Sequence, residues 1–197
     1  MRYSTEHKEL TRKKILAAAA ALFRGQGYAG LGIDALAKAA GVTNGAFYGH
    51  FASKAEAYRA TVESGLETLW RGIEAYRADH GPGWITPFAH FYFGTEKLGC
   101  SENLCALPAF GPEIARAPAE TRAAFDAGLA RVHRALAEGL SGADAEARAW
   151  RLLALMLGGV TLARAVPDAT LARRLAEDYA QALIAAAQPP AGAVPDQ

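Results

Sequence analysis

Residues 33–51 read IDALAKAAGVTNGAFYGHF, and the fold turns on this stretch. Ile33, Leu36, Ala37 and Ala40 recur at helical spacing and stop at Gly41, a residue suited to a left-handed helix C-terminus. Val42 then packs inward, and the Thr43 hydroxyl can accept a free amide of a new first turn, so a second short helix is predicted over 44–51. Two short helices joined by a tight turn around a glycine form the helix-turn-helix layout, whose second helix enters the major groove of DNA. The expected buried set is Ile33, Leu36, Ala37, Val42, Phe47 and Phe51, with Ala37 and Gly41 small enough for close approach. Thr43, Asn44, Gly45, Tyr48 and either Gly49 or His50 are left facing outward.

The outward residues have the chemistry that DNA asks for. An Asn amide can bond bidentately to adenine, a phenol and a hydroxyl can hold phosphates, and glycines let backbones come close. No carboxylate is among them. A helical hairpin with a merely solvated face would carry Glu and Lys there instead. The charge distribution points the same way. Residues 1–60 hold nine Lys or Arg against four Asp or Glu, a balance of +5, whereas residues 61–197 hold twelve against sixteen, a balance of −4. A basic head on a mildly acidic body suggests a polyanionic partner for the head.

Outward from this segment the chain reads as all-α, with about nine helices and nothing patterned as strand. The first helix is expected over 5–26, with Leu10, Ile15, Leu16, Ala19, Leu22 and Phe23 on one face and Lys8, Arg12, Lys13 and Lys14 crowding its first half. Ser53 caps a long amphipathic helix over 54–79 that ends at Gly81-Pro82-Gly83. Further helices are expected over 85–98, 103–114, 119–139, 143–166 and 169–187. The expected domains are a helix-turn-helix head over 1–53, a helical ligand-binding and dimerisation body over 54–188, and a disordered Pro/Ala/Gly-rich tail over 189–197.

Several fixed spacings together resemble the tetracycline-repressor (TetR) family. The matching residues are Thr11-Arg12-Lys13-Lys14-Ile15-Leu16, Ala21-Leu22-Phe23 with Gly27-Tyr28, IDALAKAAGV over 33–42, and TNGAFYGHF over 43–51 followed by Lys54. The resemblance covers about residues 8–60. It implies a three-helix DNA-binding head, a larger ligand and dimerisation body, and a homodimer that holds a near-palindromic operator in double-stranded DNA until a small molecule releases it. It also implies that Asn44 and Gly45 read bases, that Tyr48 touches a base or a phosphate, and that Thr43, His50 and Lys54 hold phosphates. Lys54 also reads as a plain solvated lysine. Three residues depart from the family pattern: Gly32 and Ala46 stand where hydroxyl residues are common, and Asp34 where a basic or polar one sometimes reaches DNA. A carboxylate suits the helix N-terminus there but repels phosphate.

In the body, aromatic residues gather at Trp70, Tyr76, Trp84, Phe88, Phe91, Tyr92, Phe93, Phe110 and Phe125. Ligand contacts are expected from Trp70, Phe88, Phe91, Tyr92, Cys100, Phe110 and Phe125, with His90, Glu96, Asn103 and His133 as polar groups. The same aromatic spacing fits a packed core equally well. Cys100 and Cys105 lie five residues apart without metal-ligand spacing; they are either reactive thiols at a helix start or small buried hydrophobes. The last two helices carry Leu152, Leu153, Leu155, Met156, Leu157, Val160 and Leu162, then Leu171, Leu175, Tyr179, Leu183 and Ile184; the apolar residues of the first cover more of its circumference than one core face needs, which suggests an isologous homodimer through these helices.

Two other classes compete with a regulator. An enzyme using His90, His133 or a cysteine lacks any accompanying nucleophile elbow, phosphate loop or metal spacing, so no catalysis and no cofactor are expected. A helical adaptor with a basic, solubilising head would bind its partner almost independently of salt, unlike DNA binding. The longest apolar run, 152–163, is too short to span a membrane and is flanked by arginines, so no membrane partner and a cytoplasmic location are expected.

Overall fold

The computed structural model describes residues 5–94 and 105–189. Among these the chain forms α-helices and one short 3₁₀ turn, Gly81–Gly83, and no strand. The head comprises α1 (Thr5–Gln26), α2 (Ile33–Ala39) and α3 (Asn44–Tyr48); the remainder comprises α4 (Lys54–His80), α5 (Ile85–Tyr92), α6 (Ala106–Ile114), α7 (Ala119–Glu138), α8 (Ala145–Ala165) and α9 (Ala169–Ala186).

In α1, Ile15, Ala19 and Phe23 recur every fourth residue and are buried, which gives the helix one face against the rest of the head. At the end of α2, Gly41 has φ +66, the left-handed conformation that only glycine adopts cheaply. Its N–H donates to the Lys38 carbonyl and the Val42 N–H to the Ala37 carbonyl, a Schellman closure that stops the helix and drives the chain sharply into α3. Ser53 caps α4 by accepting the Glu56 N–H at 3.1 Å, while the Glu56 carboxylate accepts the Ala52 N–H at 2.6 Å.

Helix α4 is the spine, packed on α1 at the head end and on α6, α7 and α5 along the body, and α8 and α9 pair beside α7. One continuous buried cluster runs from Ile15 and Phe47 in the head to Leu183 in α9. Trp84 is buried where α4 turns into α5, and its indole N–H donates to the Gly139 carbonyl at the end of α7 at 2.8 Å. Arg148 is equally buried. Its guanidinium bonds the Asp144 carboxylate at 2.8 Å and the Ser141 and Ala187 carbonyls, tying the α7–α8 loop to the end of α9. All three of its nitrogens therefore have an acceptor, the condition for burying a charge at bearable cost.

Two helices end earlier than the spacing predicts. α3 stops at Tyr48 rather than near Phe51, because the Phe47 carbonyl accepts both the His50 and Phe51 N–H groups and closes the last turn. α5 ends at Tyr92, where Gly94 donates to the Phe91 carbonyl; the rest of the predicted 85–98 helix, and the start of the 103–114 helix, lie outside the described residues. The 190–197 part of the expected tail lies outside them as well.

Candidate nucleic-acid interface

The turn after α2 presents the start of α3 at the surface. Thr43 accepts the Ala46 N–H at 3.1 Å and so caps α3. Phe47 points inward and is fully buried, with Phe51 at 5.8 Å between ring centroids. The opposite face of α3 is open: Thr43, Asn44, Gly45, Ala46 and Tyr48 are all exposed, and Tyr48 keeps 53% of its surface. Beyond its chain neighbours, Gly45 has only the Thr43 hydroxyl near the place a Cβ would take, at 3.9 Å, so another backbone can come close.

An open groove of about 820 Å³ runs beside this face between α1 and the turn. It is lined by His7, Lys8, Thr11 and Lys14 from α1, and by Val42, Thr43, Ala46 and His50 from the helix-turn-helix. Its ionisable side chains are all basic. Burial lowers the His50 pKa below the usual imidazole value, and the nearby charges of Lys8 and Arg12 lower it further. His50 is thus a neutral donor or acceptor at pH 7. The groove-facing lysines of α1 belong with the sequence's basic first half-helix, but spacing alone does not join them to His50.

Lys54 is placed differently from the other expected contacts. Its ammonium donates to the Tyr28 carbonyl at 3.0 Å and the Leu31 carbonyl at 2.9 Å, and lies 4.2 Å from the centre of the Tyr28 ring. Two of its three donors therefore bind the α1–α2 turn, so the side chain is neither simply solvated nor fully available to a phosphate. The same turn is held from the body: the Glu113 carboxylate on α6 accepts the Tyr28 N–H at 3.1 Å and lies 3.5 Å from the Tyr58 hydroxyl. Burial and Glu113 together raise the Tyr58 pKa well above its ordinary value. No pattern in the sequence signals this link, since its partners are 85 residues apart.

The aromatic set expected at a ligand site divides among three places. Phe88, Tyr92 and Phe110 are buried in the core, where Phe88 lies 5.7 Å from Tyr92 and Phe110 lies 5.7 Å edge-on to Tyr58. Phe91 faces outward against Tyr76, and Phe125 is half-buried against the core. Trp70 lines a separate open groove of about 460 Å³ between α1, α4 and α7, with the Arg131 guanidinium 3.9 Å from its ring centre. Cys100, Glu96 and Asn103 lie outside the described residues. His90 is exposed, and His133 is buried in a stack on Trp150 at 4.1 Å. At helical spacing the aromatics pack mainly on one another, because that satisfies them without a ligand. The buried Tyr92 hydroxyl is the polar exception; burial and its neighbour Cys105 raise its pKa.

A capped, exposed α3 following a Schellman turn, beside a basic groove, defines a helix-turn-helix DNA-binding protein. Residues 15–61 match the family model described as bacterial regulatory proteins, tetR family. The chain is 34% identical over 94 residues to the uncharacterized HTH-type transcriptional regulator TtgW of Pseudomonas putida, covering 40% of this chain and 69% of that protein. It is 32% identical over 96 residues to the HTH-type transcriptional regulator SrpR, also of Pseudomonas putida, covering 41% of this chain and 45% of that protein, so less than half of SrpR is matched. In fold it is similar to reduced NemR of E. coli, with TM-score 0.76 at 22% identity over 92% of this chain and 99% of that one. The chain belongs to the TetR family of transcriptional regulators. It is a DNA-binding regulator. Among the described residues no helix is long and apolar enough to cross a membrane.

Proposed function

We propose that the chain is a cytoplasmic homodimeric repressor that holds a near-palindromic operator through two copies of α3 and leaves it when a small molecule binds the body. The observation that carries this reading is the open face of α3, which carries no carboxylate of its own, beside the basic groove of α1. In this arrangement Asn44 and Gly45 meet base edges, Tyr48 meets a base or a phosphate, and Thr43 and His50 meet phosphates. Lys8 and Lys14 follow the backbone along the groove. Lys54 stiffens the α1–α2 turn and keeps one N–H for a phosphate. The head ends at Ser53 and the body begins with α4, which is rooted in both.

What supports a ligand in the body is the pairing of aromatic walls with a few polar groups: the buried Tyr92 hydroxyl in one place, and Trp70 with Glu67 and Arg131 in the other. Ligand binding shifts the population toward a spacing of the two heads that no longer fits successive major grooves. Selection of bound duplexes from a random pool by the full chain tests the reading. The expected result is a two-fold repeated consensus whose affinity falls steeply with salt. Enrichment of no sequence, or binding insensitive to salt, would overturn it in favour of a helical adaptor.

A further inference from the structure

We propose that Asp34, on α2, is a positioning residue for base reading: its carboxylate holds the Asn44 side-chain amide in the orientation that recognises adenine. This inference rests on the DNA-reading function proposed above. The observation behind it is a hydrogen bond across the turn, in which Asn44 Nδ2 donates to Asp34 Oδ1 at 2.5 Å between residues ten apart. Both side chains are at the surface beside the exposed face of α3.

A primary amide has two N–H donors on one end and an oxygen on the other, and its terminal torsion lets the ends change places. At a helix start the oxygen also has local competing partners, the free backbone amides of the first turn. A carboxylate can only accept. It therefore grips the NH₂ end of Asn44 and rejects the oxygen end, removing the two-fold ambiguity. Adenine offers an acceptor, N7, beside a donor, N6. An Asn meets that pair with its oxygen and the N–H on the same side as the oxygen. The second N–H points away and would be stranded when the groove is desolvated. Asp34 takes that stranded donor, so every polar group of the Asn44 amide is used.

The arrangement has a cost of opposite sign. A carboxylate near DNA repels phosphates, so Asp34 lowers affinity for every sequence while sharpening the choice among them. Its place in the first turn of α2 suits the helix dipole. A residue with a purely structural role would not separate the two effects, because loosening α2 would weaken binding and selectivity together.

The experiment compares the full wild-type chain with Asp34→Ala, Asp34→Asn and Asn44→Ala, first by selection from a random duplex pool and then by titration of fluorescent operator and unrelated duplexes. Circular dichroism and thermal melts establish that each variant is folded. The expected wild-type consensus has an adenine in each half-site that Asn44→Ala relaxes. Asp34→Ala is expected to reduce preference for that same adenine roughly tenfold, to leave the other positions unchanged, and to bind unrelated duplex more tightly than the wild type. Asp34→Asn presents an N–H as well as an oxygen and so no longer rejects the oxygen end of Asn44; its preference should fall between those of the wild type and Asp34→Ala, with general affinity gained. If the wild type enriches nothing, the DNA-reading function itself falls. If it enriches an operator but Asp34→Ala preserves every position, relaxes a cytosine instead, or weakens all duplexes alike, the role of Asp34 is overturned and the DNA-reading function stands.

Discussion

His50 joins two processes with opposite responses to pH. Its Nδ1 is buried with no hydrogen-bond partner among the described residues, and burial, reinforced by Lys8 and Arg12, keeps its pKa below the ordinary imidazole value. The unfolded chain therefore binds a proton more readily than the folded one. Stability from this group is complete above the unfolded value of about 6.5 and declines as pH falls from there toward the lower folded value. A phosphate lodged in the groove reverses the preference, since a negative charge beside the ring favours the imidazolium. Free protein should melt at a lower temperature at pH 5.5 than at pH 7.5, whereas operator affinity should rise between pH 7.5 and 6. In His50→Gln both responses should shrink, as read by thermal melts and fluorescence anisotropy. An unchanged affinity profile in that variant would remove His50 from the phosphate contacts. That Thr43, Asn44 and Tyr48 lie open is legible from helical spacing, and His50 is half-buried beside them. Their partners are not legible. Asp34 reads as suited to its helix start and repulsive to phosphate, and only the fold brings it to Asn44; Lys54 reads as a phosphate contact or a solvated lysine, and only the fold brings its ammonium to two carbonyls of another turn.

At the scale of elements, α3 is too short to persist alone, since a five-residue helix cannot recover the cost of its own nucleation. Its stability comes from Phe47 in the core and from the Thr43 cap. Thr43→Ala should therefore cost about 1 kcal/mol of global stability and lose operator binding by more than that figure explains, because the loss concentrates on the reading helix. Thr43→Ser restores the cap, and urea melts with operator titrations should show both quantities recovering together. A Thr43→Ala variant with full affinity would show that α3 needs no cap. Long elements were legible for a related reason: α1 and α4 have many apolar residues in one period and clear ends, so their bounds follow from pattern. α3 and α5 end early because single carbonyls close their last turns, a detail that periodicity does not contain. The aromatic cluster was ambiguous because core and pocket share the same spacing; only packing distinguishes Phe88 and Phe110 in the core from Trp70 in a groove.

For the whole molecule, the proposed homodimer must hold two heads at a fixed distance, and we place its contact surface on α8 from the Gly158-Gly159 pair. A Cβ on Gly159 would lie 2.8 Å from Phe93 and 3.0 Å from Tyr179, so that side of α8 is packed within the chain. A Cβ on Gly158 would meet nothing within 4 Å, and on the same open side Leu162 keeps 54% of its surface and Ala154 is exposed. Across the turn, Leu171 at the start of α9 is also exposed. Small residues beside leucines suit close apposition of a second copy, burying apolar surface that has no partner within one chain. Gly158→Leu separates this from the monomeric alternative. In an isolated chain the substitution stabilises the helix by roughly 1 kcal/mol, because glycine is the poorer helix former. In a dimer packed on this face it inserts a wedge. The expected outcome is a halved mass by light scattering with helicity retained, and an operator affinity reduced about a hundredfold as two linked contacts become independent ones. A Gly158→Leu protein that stays dimeric would place the second copy elsewhere on the body.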